Sequence, residues 1–141
     1  IEALRIQTGH LMGLGDVSAK NYPKMTLIAP PRSGGSLCTR SFIPHVCHDA
    51  IGVLAAVTVG TACVLKGSVC EGVAVMDAGH EPRVSVEHPT GEFSVALQTR
   101  TDPHLPGGHE VTQAALLRTA RLIMRGEAMV PASVWDFGDK T

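Results

Sequence analysis

From residue 50 to residue 65 the chain carries no charge, and Thr58 and Thr61 are its only polar side chains. A helix built from this stretch would have no wet face. A fully buried strand seldom exceeds about 8 residues and this run is about twice that, which predicts a buried central helix. A spanning helix needs about 20 apolar residues, and here His45, His48 and Asp49 crowd one end and Lys66 the other. Pro44 disfavours helical geometry at Ile43, Asp49 in a first turn would complement the helix dipole, and Lys66-Gly67 suit a last turn and its cap. The cluster Pro44-His45-Val46-Cys47-His48-Asp49 is therefore expected at the helix N-terminus, where free backbone N–H groups make the natural anion site of the chain.

Around this helix the pattern predicts short strands. Residues 1–12 read as a helix with Leu4, Leu11 and Met12 at near-helical spacing and a stop at Gly13. The Gly13-Leu14-Gly15 loop lacks the preceding strand and third glycine of a phosphate-binding turn. Residues 24–29 have strand length, and Pro30-Pro31-Arg32-Ser33-Gly34-Gly35 is a turn. In 36–42, Leu37, Thr39 and Ser41 alternate with Cys38, Arg40 and Phe42. Beyond the helix, 70–76 reads as a strand, 77–80 as a turn, and 82–88 with 92–100 as a hairpin through Pro89-Thr90-Gly91. Residues 101–110 form a loop. Residues 111–129 fit either a helix through Ala114, Leu117, Arg121 and Met124 or strands broken at Gly126, and the tail 131–141, with Trp135, reads as an extended arm. Many short strands around one apolar helix predict an α+β domain, a curled and mostly antiparallel sheet wrapped around a buried central helix.

Composition narrows the class. At 141 residues the chain suits a single unit, 1–141, that buries a core without disulfide or metal. A net charge of −1 and the absence of a basic run argue against nucleic acid and anionic membrane as partners. Cys38, Cys47, Cys63 and Cys70 match no zinc or disulfide spacing, and are expected to be reduced thiols of a cytoplasmic protein. The chain opens at Ile1, apparently inside a helix without its cap, which leads us to expect a longer protein.

Several motifs together resemble a known family. Pro23-Lys24 before a strand, Pro31-Arg32-Ser33-Gly34-Gly35, Thr39-Arg40-x-Phe42-Ile43-Pro44-His45-x-Cys47-His48, His88-Pro89-Thr90-Gly91 and Arg118-Thr119-Ala120-Arg121-x-Ile123-Met124-x-Gly126-Glu127 resemble the second half of the 4-oxalomesaconate tautomerase and methylaconitate isomerase family. That family is similar in fold to diaminopimelate epimerase, with two like lobes flanking an active-site cleft. The resemblance implies a C-terminal lobe and a cofactor-independent proton transfer on an unsaturated polycarboxylate, as in aromatic acid catabolism. It places the main acid and base, a lysine and a cysteine, in an N-terminal lobe outside this chain. It also favours strands for residues 111–129.

What remains for this lobe is to hold a small polycarboxylate substrate and exclude water. The expected ligands are Arg32 and Arg40 through bidentate salt bridges, Ser33 of the same turn, and His45 and His48 at the helix start. Cys47 is the catalytic candidate within the chain, because a helix N-terminus would favour its thiolate; a small buried hydrophobe is the plainer role. Arg40 could instead pair only with Glu71 or Asp49, and the histidines could simply cap the helix. A metal site of His45, Cys47 and His48 with His88 or His80 is disfavoured, since three ligands within four residues cannot reach one ion unstrained. No metal and no cofactor are expected. A methylaconitate isomerase is the alternative substrate reading, a non-catalytic binding or assembly domain the alternative class, and the oligomeric state, a homo-oligomer included, stays open.

Overall fold

The computed structural model describes residues 1–76, 82–105, 108–118 and 120–135. The elements run α1 (Glu2–Leu11), β1 (Met25–Ala29), β2 (Leu37–Phe42), α2 (Val53–Val64), β3 (Arg83–His88), β4 (Gly91–Thr101) and β5 (His109–Leu116). The strands form one sheet in the order β1-β2-β3-β4-β5, antiparallel except for the parallel pair β2–β3. Parallel neighbours need a crossover, and α2 lies in this one. The α+β class is thus as expected; the sheet is open and covers one side of the helix.

Alternation decides the faces. Leu37 pairs with Val86 and Val84 with Val95, so these side chains share one face of the sheet, where with Leu97 they meet Ala56 and Val59 of α2. Each such fully buried aliphatic side chain contributes about 1.5–3 kcal/mol. Gly60 allows the close approach, since a Cβ there would lie 3.3 Å from Val95 Cβ. The opposite face carries Cys38, paired with Glu87, and Arg40, paired with Leu27.

Four expectations are corrected. First, α2 starts at Val53 with an extended Gly52 as its cap, and no acid lies in its first turn. The backbone before it is already committed: Phe42 bridges Cys47, Ile43 N–H donates to the Val46 carbonyl at 2.9 Å, and His48 N–H to the Ser41 carbonyl at 2.8 Å. The helix likewise ends at Val64, and Lys66-Gly67 follow it. Second, α2 is not enclosed, because the open sheet leaves Val53, Thr58 and Leu54, which is 82% exposed, facing outward. Third, residues 71–73 form a turn where a strand was expected, with Gly72 at φ +76°, and only the Val75 N–H reaches β2's lead-in, at the Ser36 carbonyl, 2.8 Å. Fourth, the strand reading of 111–129 holds for β5 only; 117–118 and 120–130 are irregular, with Leu122, Ile123 and Met124 exposed and no neighbouring strand to complete a ladder among the described residues.

Helix α1 forms as expected and ends at Leu11, two residues before Gly13, but Leu4, Leu11 and Met12 face outward. It is held instead through Arg5, which is fully buried, and through Gly9 packed on Val17. The loop after β4 is narrower than expected: Thr101 still belongs to β4, His109 begins β5, and Asp102 N–H donates to the Gly108 carbonyl at 3.1 Å. The turn at 77–80 with His80, the Pro106-Gly107 step, Thr119 and the tail from 136 lie outside the described residues.

Candidate substrate site

Two hollows flank β2, one on each face of the sheet. The first, about 430 Å³, lies on the polar face and is lined by Arg32, Ser33, Cys38, Arg40, Glu87 and His88, with the turn Pro89 to Gly91 and Glu92 at its edge. The second, about 710 Å³, runs between β1 and the open side of α2 and is mostly apolar.

The polar hollow follows from local sequence. Pro30 and Pro31 end β1, and Gly34 at φ +85° takes a conformation that L side chains avoid, so the chain reverses tightly into β2. That reversal gathers the N–H groups of Arg32, Ser33 and Gly35 around one carboxylate of Glu87, at 2.8, 2.7 and 2.8 Å. Glu87 is 6% exposed, and these donors replace the water it has lost. The Arg32 N–H bond, with those of Gly35 and Ser33 and the nearby Arg32 charge, outweighs burial and holds the Glu87 carboxyl below the usual range. Next to it Thr39 Oγ1 donates to the Glu87 carbonyl at 2.7 Å, and Glu92 accepts from Ser85 Oγ.

Arg40 stands on the same face with neither ion pair nor side-chain hydrogen bond to any described residue. The pairing with Glu71 or Asp49 considered from sequence does not form; Glu71 instead accepts the Gly67 N–H at 2.7 Å. The hollow therefore presents two guanidinium groups beside two carboxylates that are already engaged, Glu87 by main-chain donors and Glu92 by Ser85 Oγ. Such an arrangement suits a ligand carrying more than one carboxylate.

Of the six residues predicted from sequence, the fold brings Arg32, Ser33 and Arg40 together and sets His45, Cys47 and His48 apart on the loop before α2. His48 Nδ1 accepts the Ala50 N–H at 2.9 Å and the ring lines the apolar hollow. His45 is exposed, its Nδ1 3.7 Å from Glu2 Oε2. Cys47 is exposed, its Sγ 3.8 Å from the His48 carbonyl. Because α2 begins later, none of the three stands in a helical first turn. The loop touches the β3–β4 turn, where Thr90 Oγ1 donates to the Asp49 carbonyl at 2.9 Å, but none of its residues lines the polar hollow. No three His, Cys, Asp or Glu side chains gather as a metal-ligand group among the described residues. Glu87 was missed from sequence; its signal was an acid within an alternating strand opposite a two-glycine turn.

The fold is thus an open mixed sheet packed on one helix, and its far face carries a hollow where two arginines stand beside two engaged acids. The PrpF protein family model matches residues 1–131, and the chain belongs to that family. It is 52% identical over 130 residues to a (4E)-oxalomesaconate Delta-isomerase of Novosphingobium sp. (strain KA1), covering 92% of this chain and 35% of that protein. It is 45% identical over 141 residues to a 4-oxalomesaconate tautomerase of Pseudomonas putida, covering 99% of this chain and 37% of that one. The chain thus spans about a third of the length of these relatives. The crystal structure of a methylitaconate-delta-isomerase shares the fold with a TM-score of 0.64, at 18% identity over 83% of this chain and 35% of that one. No helix among the described residues is long and apolar enough to cross a membrane.

Proposed function

We propose that this chain is the C-terminal lobe of a two-lobe, cofactor-independent isomerase that moves a proton along an unsaturated polycarboxylate, with 4-oxalomesaconate as the substrate. The observation that carries the reading is the polar hollow lined by both Arg32 and Arg40, with Arg40 unpaired among the described residues, in a chain that resembles two named oxalomesaconate isomerases along almost its whole length. In such a reaction a base takes a proton from a carbon activated by a neighbouring keto or carboxylate group, and an acid returns one further along the conjugated chain. Negative charge spreads over the substrate meanwhile, so fixed cations beside its carboxylates hold it in register.

In this reading the acid and base come from the other lobe. Arg32 and Arg40 grip substrate carboxylates, Ser33 contributes a hydroxyl at the rim, and the loop with His45, Cys47 and His48 borders the cleft. Cys47 is exposed on that loop, while Cys38 lines the hollow itself.

The test is proton exchange in deuterated water with 4-oxalomesaconate, followed by NMR, on this chain alone and on the same chain joined to the upstream lobe. Deuterium incorporated only by the joined form supports the division of labour. Incorporation by the 141 residues alone would move the chemistry to Cys47 or a histidine beside it.

A further inference from the structure

The turn between β1 and β2 is built to bind an anion, and it already holds one. Three consecutive-region N–H groups, of Arg32, Ser33 and Gly35, converge on the Glu87 carboxylate, the arrangement by which backbone nests bind phosphates and carboxylates. Glu87 comes from β3, more than fifty residues further on, so the bond ties the turn to the sheet across the parallel junction. The fit leaves no slack: a Cβ at Gly35 would lie 2.6 Å from Glu87 Cγ, 2.9 Å from its Oε1 and 3.0 Å from the Ser85 carbonyl. Without that carboxylate the turn's donors would compete with the guanidinium side chains for any carboxylate entering the hollow, and the turn would be tied to β3 only at its far end, where Ser36 N–H donates to the Ser85 carbonyl and Ser36 Oγ accepts the Ser85 N–H.

We infer that Glu87 is a positioning residue of the carboxylate site: it locks the 32–35 turn so that Arg32 faces the hollow shared with Arg40, and it fills the turn's nest so that substrate carboxylates are left to the two guanidinium groups. This rests on the proposed reading of the hollow as a polycarboxylate site. Glu87 does not touch the ligand; it acts through Arg32. Neighbouring acids cannot replace it, because Glu92 is engaged with Ser85 Oγ.

The experiment is calorimetric titration of the full-length protein with tricarballylate, a saturated tricarboxylate with no double bond to shift, so that binding is read without turnover. Glu87→Gln, nearly isosteric but presenting an amide to the nest, should weaken binding about tenfold, and by less than about twofold when Arg32→Ala is already present, since the effect travels through that side chain. Glu87→Asp, which keeps the charge on a shorter stem, should fall between wild type and Glu87→Gln, and it carries the test if Glu87→Gln does not fold. A structural role alone would add equally in both backgrounds and would overturn the inference. If Arg40→Ala weakens binding while both Glu87 variants bind as wild type, the inference fails and the carboxylate reading stands. If Arg40→Ala has no effect, or the wild type does not bind tricarballylate, the carboxylate reading fails and takes the inference with it.

Discussion

Arg5 Nη1 donates to the main-chain carbonyl of Tyr22 at 2.7 Å, joining the first helix to a residue 17 positions further along. The same guanidinium reaches the Val17 carbonyl at 2.9 Å through Nη2 and grips both carboxylate oxygens of Glu2 at 2.7 Å. Carbonyls facing a buried guanidinium need a donor, and here one side chain serves those of both Val17 and Tyr22. Arg5→Met keeps the length and removes the donors. Amides of α1 should then exchange with solvent more than about tenfold faster while those of β3 and β4 stay protected, as expected of a local opening. Arg5→Lys should not restore protection, because a single ammonium lacks the forked geometry. Unchanged exchange in Arg5→Met would show that α1 is held by Gly9 on Val17 alone.

The nest around Glu87 makes the turn sensitive to acid. The Arg32 N–H bond and its neighbours lower this carboxyl below the ordinary value of 4.5, so the folded state favours the ionised form. Stability from this source is fully present above that ordinary value and is lost as pH falls through the lowered folded value. Amide resonances of Arg32, Ser33 and Gly35 should hold still from pH 7 to about 5 and shift together below the ordinary carboxylate range. In Glu87→Gln the common acid shift should vanish. Separate midpoints for the three amides would show that they do not report one carboxylate.

Much of the sheet was legible because its strands alternate cleanly. Leu37, Thr39 and Ser41 are buried and Cys38 and Arg40 lie on the other face, as period-two spacing requires, and the Pro89-Thr90-Gly91 turn closes its hairpin. The start of α2 was misplaced because local signals at Pro44 and Asp49 were outcompeted by tertiary pairing, with the Ser41 carbonyl taking the His48 N–H. The site was half legible. Arg32 and Arg40 were singled out by guanidinium geometry and by the motifs of the family resemblance, whereas Glu87 looked like an ordinary strand acid until the fold brought it beneath the 32–35 turn. Arg5 was illegible for the same reason: its partners lie in a loop whose path no periodicity describes.

Arg40 has no ion pair or side-chain hydrogen bond among the described residues, so its removal should cost function and not stability. In the full-length protein, Arg40→Ala should raise KM for 4-oxalomesaconate by about tenfold or more, with kcat changed much less, because a carboxylate held equally in ground and transition states is uniform binding. The free energy of unfolding should stay within about 0.5 kcal/mol of wild type, as for a surface substitution. Arg40→Lys should recover part of the loss, since charge is kept and the bidentate fork is not. An unchanged KM would remove Arg40 from the site.

The four thiols should separate by reactivity. Cys47 is exposed on the loop before α2, Cys38 is partly covered in the polar hollow, and Cys70 is buried in the core. Burial pushes the Cys63 thiol up to about 12, with neighbouring Cys70 adding to the effect. At pH 8 a thiol of that kind is thiolate in only about one molecule in 10⁴, and the thiolate is the species that attacks. Iodoacetamide at pH 8, with labelled peptides mapped by mass spectrometry, should therefore modify Cys47 first and Cys63 at least about 100-fold more slowly. Adding 4-oxalomesaconate to the full-length protein should slow Cys38 if the ligand enters the hollow between Arg32 and Arg40. Protection of Cys47 alone would instead place the substrate on the loop side and separate the arginine hollow from the reaction.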